Sequence, residues 1–76
     1  MPALHWTPDS DIGGESVVVR HGGHVIAAGV GAPRKYPQGM GQSWHVTIDG
    51  NEVSGGQDFR GKAKVLAEQT VRQLIK

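Results

Sequence analysis

The chain has 76 residues, no cysteine, and a formal net charge of +1 from eight basic and seven acidic side chains. This length allows one small domain, 1–76, and the lack of cysteine excludes a disulfide framework and a thiolate metal site. The near balance of charge argues against non-specific binding of duplex nucleic acid, because that affinity depends on phosphate neutralisation.

Membrane and export signals are missing from the sequence. No apolar run is long enough to cross a bilayer, so no membrane partner is expected. The first residues also lack the basic and apolar regions of a secretory signal. Because the lack of cysteine fits a reducing compartment as well, we expect a cytoplasmic protein.

The first predicted sheet element is a β-hairpin over residues 17–30. Two β-branched or apolar runs flank His21-Gly22-Gly23-His24, whose glycines allow the positive φ of a tight turn. Before the hairpin, residues 7–11 resemble a turn, and residues 4–6 either add an edge strand or lie on the core as an arm. Period-two alternation predicts the hairpin side chains that face the core: Val17, Val19, Ile26, Ala28 and Val30.

Residues 31–43 show neither a strand nor a helix pattern and are predicted to form a long loop. Arg34, Lys35 and Tyr36 stand together in it, between Pro33 and Pro37. Loops of this length are often functional, and two cations beside an aromatic ring suit an acidic protein surface, or phosphate and base. The alternative is a solvated connection whose charges serve solubility.

Residues 44–48 carry the cleanest strand pattern, since Trp44, Val46 and Ile48 alternate with polar side chains. Asp49-Gly50-Asn51 predicts a turn, and residues 52–54 then return as a short further strand. The pair Gly55-Gly56 is expected to end that strand.

The last segment, 62–76, contains neither Gly nor Pro and is predicted to be an amphipathic helix. Glu68 and Arg72 have the spacing and order of a favourable i, i+4 ion pair. Asp58 is a candidate N-cap and Phe59 is expected to pack under the first turn, although Gly61 favours a later helix start. The apolar stripe consists of Ala63, Leu66, Ala67, Thr70, Val71 and Leu74.

These elements predict an α+β domain in which a small antiparallel sheet of three to four strands packs against one C-terminal helix. Such an arrangement buries the apolar face of the sheet and the apolar stripe of the helix together. The predicted core consists of Val17, Val19, Ile26, Trp44, Val46, Ile48, Phe59, Leu66, Val71 and Leu74.

Candidate catalytic and metal-binding groups are sparse. His21 and His24 flank a turn and can face each other, but two imidazoles fall short of a zinc site. Asp9 and Asp49 are explained by turn chemistry, and the glycines form no phosphate loop. No serine stands in a nucleophile motif. We therefore predict no enzyme activity, no metal and no cofactor.

Two further surfaces are candidates for binding. The outer sheet face should carry Arg20, His45 and Thr47, with His45 pointing to solvent, and sheets of this size can lie in a DNA groove. The alternative is an ordinary polar sheet face. On the helix, Val65 falls off the apolar stripe; if Ile75 and Trp6 are exposed too, the three form a patch for a homodimer.

The motif order supports a resemblance. Leu4-x-Trp6 precedes a hairpin, and W-x-V-x-I-D-G over 44–50 precedes Gly55-Gly56, Phe59 and the A-K-x-x-A-E pattern of 63–68. Across most of its length the chain resembles small proteins encoded by phages of actinobacteria, some of which act on host processes or are toxic to the host. The resemblance implies a non-catalytic protein that binds a host macromolecule, most readily a host protein, and perturbs host growth.

The strand order also resembles the AP2-type DNA-binding domains at integrase N-termini, whose sheet face carries basic and aromatic residues. This chain has His45 and Thr47 where those domains have a basic row. The resemblance implies DNA binding through the sheet face, which this departure from the basic row opposes. The alternative function that we retain is a weak DNA- or RNA-binding module that uses Arg20, His45 and the 31–43 loop with Arg34 and Lys35.

Overall fold

The computed structural model describes residues 4–75, and within that range one helix packs against one face of a six-stranded antiparallel sheet. The predicted α+β class is confirmed, with more strands than the three to four expected. The strands are β1 Thr7–Asp9, β2 Gly14–His21, β3 His24–Val30, β4 Arg34–Tyr36, β5 Gly39–Ile48 and β6 Asn51–Phe59, and the helix is α1 Lys62–Leu74.

The sheet is a meander in the order β1-β2-β3-β5-β6, and β4 pairs with the same side of β5 as β3. Val30 lies opposite Trp44, whereas Arg34 lies opposite Gly41, so residues 31–33 contain one more residue than the facing stretch of β5. Such an extra residue is a β-bulge. β3 and β4 are therefore one strand interrupted by a bulge, and the loop predicted over 31–43 is wrong.

Two tight turns set the register of the meander. Gly22 and Gly23 have φ of 60° and 79°, and Asp49 and Gly50 have φ of 52° and 86°. Two consecutive positive φ values are the geometry of type I′ turns, whose twist matches that of the flanking strands. Both predicted turns are confirmed.

β6 is longer than predicted because Gly55 and Gly56 continue the strand. A Cβ at Gly56 would lie 3.3 Å from the Trp44 indole nitrogen, and one at Gly55 would lie 3.0 Å from the Trp44 carbonyl oxygen. The two glycines thus let β6 approach Trp44 closely. A register shift opposite Val46 and Thr47 makes a second bulge at Val53.

The core lies between the sheet and α1. Its centre consists of buried Val17, Ile26, Ala28, Val46, Ala67 and Val71, and the side chains packed around it are Leu4, Trp6, Val19, Trp44, Ile48 and Ile75. Val30 and Ala63 are fully buried as well. The hairpin positions and the 44–48 strand were therefore predicted correctly.

Three predicted core positions differ. Leu74 is 37% exposed, and Ile75, the residue that caps the end of α1, packs against the core instead. Leu66 is only half-buried. Phe59 is half-buried on the opposite face of the sheet and does not pack under the helix.

The N-terminal segment lies on the core as an arm. Residues 7–9, predicted as a turn, form β1, and the turn follows them, with the Asp11 N–H donating to Asp9 Oδ1 at 3.0 Å. The Trp6 indole N–H donates to Glu68 Oε1 at 2.6 Å, and Lys64 Nζ lies 5.2 Å from the Trp6 ring centre. The exposed patch of Val65, Ile75 and Trp6 does not form, since Trp6 and Ile75 pack against the core.

The helix begins without a side-chain cap. Its N-cap is Gly61 at φ 79°, a left-handed conformation that glycine adopts without steric cost. Asp58 is not the N-cap, because its Oδ1 accepts the N–H of Phe59 at 2.7 Å. The predicted pair of Glu68 and Arg72 forms, at 3.6 Å.

Candidate functional site

The face of the sheet opposite α1, called the outer face below, carries most of the candidate residues. Along β5 the buried Val46 points to the helix, so Gly41, Ser43 and His45 point the other way. Residues directly opposite each other on paired strands share a face. Arg34 and Phe59 both lie opposite Gly41, and Tyr36 lies opposite Gly39, so all three belong to the outer face.

Strand alternation separates the three neighbours in β4. Arg34 and Tyr36 point to the outer face, whereas Lys35, opposite Met40, points to the helix side of the sheet. Lys35 was predicted to act together with its two neighbours. The register places Lys35 on the face opposite to Arg34 and Tyr36, because the segment is a strand and not a loop.

An edge-to-face pair of aromatic rings sits beside Arg34. The ring centres of Tyr36 and Phe59 are 5.5 Å apart and the ring planes meet at 87°. Both rings lie over Gly41, where a Cβ would come within 2.9 Å of Phe59 and 3.0 Å of Tyr36. Sequence reasoning missed Phe59 because a strand through two glycines was not expected to bring it to this face.

His45 lies flat on the outer face. A Cβ at Gly29, its partner on β3, would be 2.5 Å from His45 Cε1 and 3.0 Å from Ile12 Cδ1. The imidazole thus covers the space that a side chain at Gly29 would fill. His45 is on the predicted face, but it is half-buried and does not project into solvent.

A pocket of about 350 Å³ opens between the bulge at 31–33 and strands β4 to β6. Gln42 anchors its wall by donating from Nε2 to the Gly31 carbonyl oxygen at 3.0 Å. None of the described residues lining it carries a carboxylate. The lining side chains include Ile12, Ala32, Arg34, Tyr36, Ser43 and Gln57.

Arg34 is the cation of this pocket, and it forms no ion pair or side-chain hydrogen bond with any residue in 4–75. It is exposed, whereas Tyr36 beside it is half-buried. An exposed guanidinium without an internal partner keeps all five of its N–H donors for a ligand.

Arg20 lies on the same face but far from the pocket. Arg20 is opposite Val25, and the Val25 carbonyl accepts the N–H of Asp49 just after the end of β5. Asp49 is eight positions along the chain from Gly41, the residue opposite Arg34. At the usual rise of a strand this distance is roughly 26 Å. Around Arg20 the outer face is apolar, with Val18 60% exposed and Val25 40% exposed. The structure therefore does not join Arg20 to Arg34 in one site.

Two further histidines, His21 and His24, lie at the hairpin turn. His24 Nδ1 lies 2.7 Å from Asp49 Oδ2, and Asp49 Oδ1 accepts the N–H of Val25 at 2.9 Å. The hydrogen bond with His24, followed by that from Val25, lowers the pKa of Asp49 below its ordinary value of 3.8. His21 faces His24 across the hairpin, but no group of three His, Asp or Glu in residues 4–75 could hold a metal ion.

Comparisons with protein-family models, with curated proteins and with solved structures found no match. Within the described part of the chain, no helix is both long and apolar enough to cross a membrane. Function is therefore argued from the geometry of the outer face.

Proposed function

We propose that this chain is a non-catalytic binding domain and that it holds a protein partner on the outer face, around the pocket beside β4. The main observation that supports this proposal is that Arg34 and Tyr36 lie side by side on an exposed face, with the guanidinium unpaired among residues 4–75. Tyrosine and arginine are the side chains most enriched at the energetic centres of protein interfaces.

Charge and exposure favour a protein over a nucleic acid as the partner. Arg34 and Arg20 are separated along the outer face, so they do not form a continuous basic track for a phosphate backbone. Exposed Val18 and Val25 add apolar area to the same face. At the pocket itself, the Tyr36 and Phe59 rings beside Arg34 match the enrichment of aromatic residues and Arg at protein interfaces.

The pocket chemistry favours binding over catalysis. The lining residues that the structure describes include no His, Asp, Glu or Lys, the side chains that most often act as general bases. Ser43 therefore has no such base beside it within that lining. Nucleophilic catalysis by Ser43 would need one, whereas recognition needs only the donors and the rings.

The resemblance to small actinobacteriophage proteins suggests a bacterial host protein as the partner, met in the host cytoplasm, with perturbed host growth as the result. A second copy of this chain is the alternative protein partner. Sedimentation of the purified protein distinguishes the two, because a homodimer through the outer face would bury Arg34 and occupy the pocket before any host protein could bind.

The test is affinity capture from a bacterial lysate with three baits: the wild type, Arg34→Ala with Tyr36→Ala, and Lys35→Ala. We expect one host protein that survives nuclease treatment to be retained by the wild type and by Lys35→Ala, and lost by the double variant. Lys35→Ala is the matched control, because it removes one positive charge from the same strand on the other face. Equal recovery with the double variant would show that the outer face does not bind.

A single-stranded nucleic acid is the second candidate, favoured by the Tyr36 and Phe59 rings beside Arg34, which could stack with bases on a sheet face. Nuclease treatment in the same capture experiment distinguishes a nucleic-acid partner from a protein partner. Recovery that disappears with nuclease, together with affinity that falls steeply with salt, would replace the protein partner with a nucleic acid.

A further inference from the structure

We infer that the pocket beside β4 binds a carboxylate attached to an apolar group, and that this carboxylate belongs to the protein partner. The inference rests on the proposed function and specifies its chemistry. It follows from where the register places donors, apolar walls and charge around one opening.

The donors converge on one spot. Arg34 lies opposite Gly41, and Ser43 and Gln57 form the next pair on the same face. Arg34 on β4 and Gln57 on β6 flank β5, so their backbones are at least about 10 Å apart. Both long side chains line the same pocket, with Ser43 between them. Neither Ser43 nor Gln57 makes a side-chain hydrogen bond within residues 4–75.

Gly31 keeps this spot open. A Cβ at position 31 would lie 2.7 Å from Ser43 Oγ and would cover the hydroxyl. Because the residue is glycine, the hydroxyl faces the pocket together with the Arg34 guanidinium. The bulge at 31–33 thus both shapes the opening and uncovers a donor.

Part of the remaining wall is apolar. Ile12 and Ala32 line one side, and the Tyr36 ring, held by Phe59, lines another. A ligand that placed only a charged group in the pocket would leave these surfaces uncovered. A carboxylate with a neighbouring aliphatic group fills both parts of the site.

The single cation selects a carboxylate over a phosphate. One guanidinium matches one carboxylate through two parallel hydrogen bonds. A phosphate group carries nearly two charges at neutral pH and is better matched by further cations or a helix N-terminus, and the lining contributed by residues 4–75 has neither. No carboxylate among those described lining residues repels an anion at this position.

The experiment is an NMR titration of the uniformly labelled protein with three probes: acetyl-Leu-Glu-Leu-amide, acetyl-Leu-Gln-Leu-amide and acetyl-Leu-Leu with a free carboxyl terminus. We expect the glutamate or the free-terminus probe to shift the amides of Gly31, Gly41 and Ser43, and the glutamine probe to bind about tenfold more weakly. Which of the two acidic probes binds more tightly identifies the source of the carboxylate.

Variants tie the effect to the pocket. Arg34→Gln should abolish the preference for acid over amide, Lys35→Gln should retain it, and Ser43→Ala, at an exposed position, should weaken it without changing the fold. Equal binding of acidic and amide probes, shifts confined to other parts of the sheet, or tighter binding of inorganic phosphate would each overturn the inference.

The result is independent of the capture experiment. A host protein that depends on Arg34 and Tyr36 while the probes show no charge preference would refute the carboxylate and leave the proposed function standing. Acid-selective probes with no protein lost in the double variant would refute the protein partner and leave a carboxylate pocket.

Discussion

At the scale of single residues, the outer face depends on where side chains are absent. Gly29 and Gly41 give their space to His45 and to the Tyr36 and Phe59 rings. Glycine has low strand propensity, and the sequence accordingly assigns Gly41 to a loop, whereas the apolar neighbours of Gly29 place it in the hairpin. Strand propensity takes no account of a ring from the neighbouring strand, which can occupy the position that a Cβ would take.

Asp49 is the residue whose ionisation should affect stability. Its pKa is lowered by the His24 contact, so the ionised form stabilises the fold above the ordinary pKa of 3.8, and this contribution is lost as pH falls through the lower folded value. We expect the Tm difference between wild type and Asp49→Asn to shrink as pH falls from about 5 to about 2. Asparagine tolerates the φ of 52° at this position, which makes it the suitable replacement.

A thermal unfolding series across that pH range measures the effect. His24→Ala is the control, because removing the main cause of the lowered pKa should move the loss to higher pH. A Tm difference that stays constant down to the lowest pH would mean that the carboxylate charge does not contribute.

At the scale of elements, regular side-chain patterns predicted the structure and glycine-rich strands did not. The 17–30 hairpin and the 44–48 strand alternate clearly and were predicted to the correct face. β4 and the second half of β6 lack that alternation, and their pairing is imposed by β5, the longest strand. The Arg34 and Tyr36 candidates were therefore found from composition, whereas their separation from Lys35 required the register.

The helix packs on the sheet through its smallest residues. Ala63 and Ala67 are fully buried, so α1 approaches β3 and β5 closely. We expect Ala67→Leu to lower the free energy of unfolding by about 1–3 kcal/mol, because the added carbons would overpack this contact. Val65 is 53% exposed on the same helix, so Val65→Leu should change the free energy of unfolding by less than about 0.5 kcal/mol.

Urea denaturation of the two variants measures the difference. If Ala67→Leu were as stable as Val65→Leu, the contact between α1 and the sheet would be loose enough to accept a larger side chain, and the expectation of close packing would be wrong.

At the scale of the whole molecule, one helix covers one face of a sheet whose long axis dominates the shape, with extents of 42 × 23 × 22 Å. The proposed binding surface and the core thus lie on opposite sides of one layer of backbone. Strand alternation assigns each residue to one side or the other, so outer-face substitutions such as Arg34→Ala should leave the packing against α1 intact. This separation is what makes the capture variants interpretable.

The Trp6 to Glu68 hydrogen bond joins positions 62 residues apart, whereas the strand pairings of the meander join neighbours along the chain when β3 and β4 are taken as one interrupted strand. Local pairs close shorter loops, so they should form before the arm docks on the helix. Trp6→Phe keeps a ring and removes the donor. We expect it to unfold faster and refold at the wild-type rate in stopped-flow experiments that follow Trp44 fluorescence.

Slower refolding that accounted for the whole loss of stability would instead place the arm in the folding nucleus. On the expected order, the meander that carries Arg34 and Tyr36 forms before the Trp6 to Glu68 contact. The Trp6 to Glu68 contact then slows unfolding and so lengthens the lifetime of the folded state, without changing the folding rate.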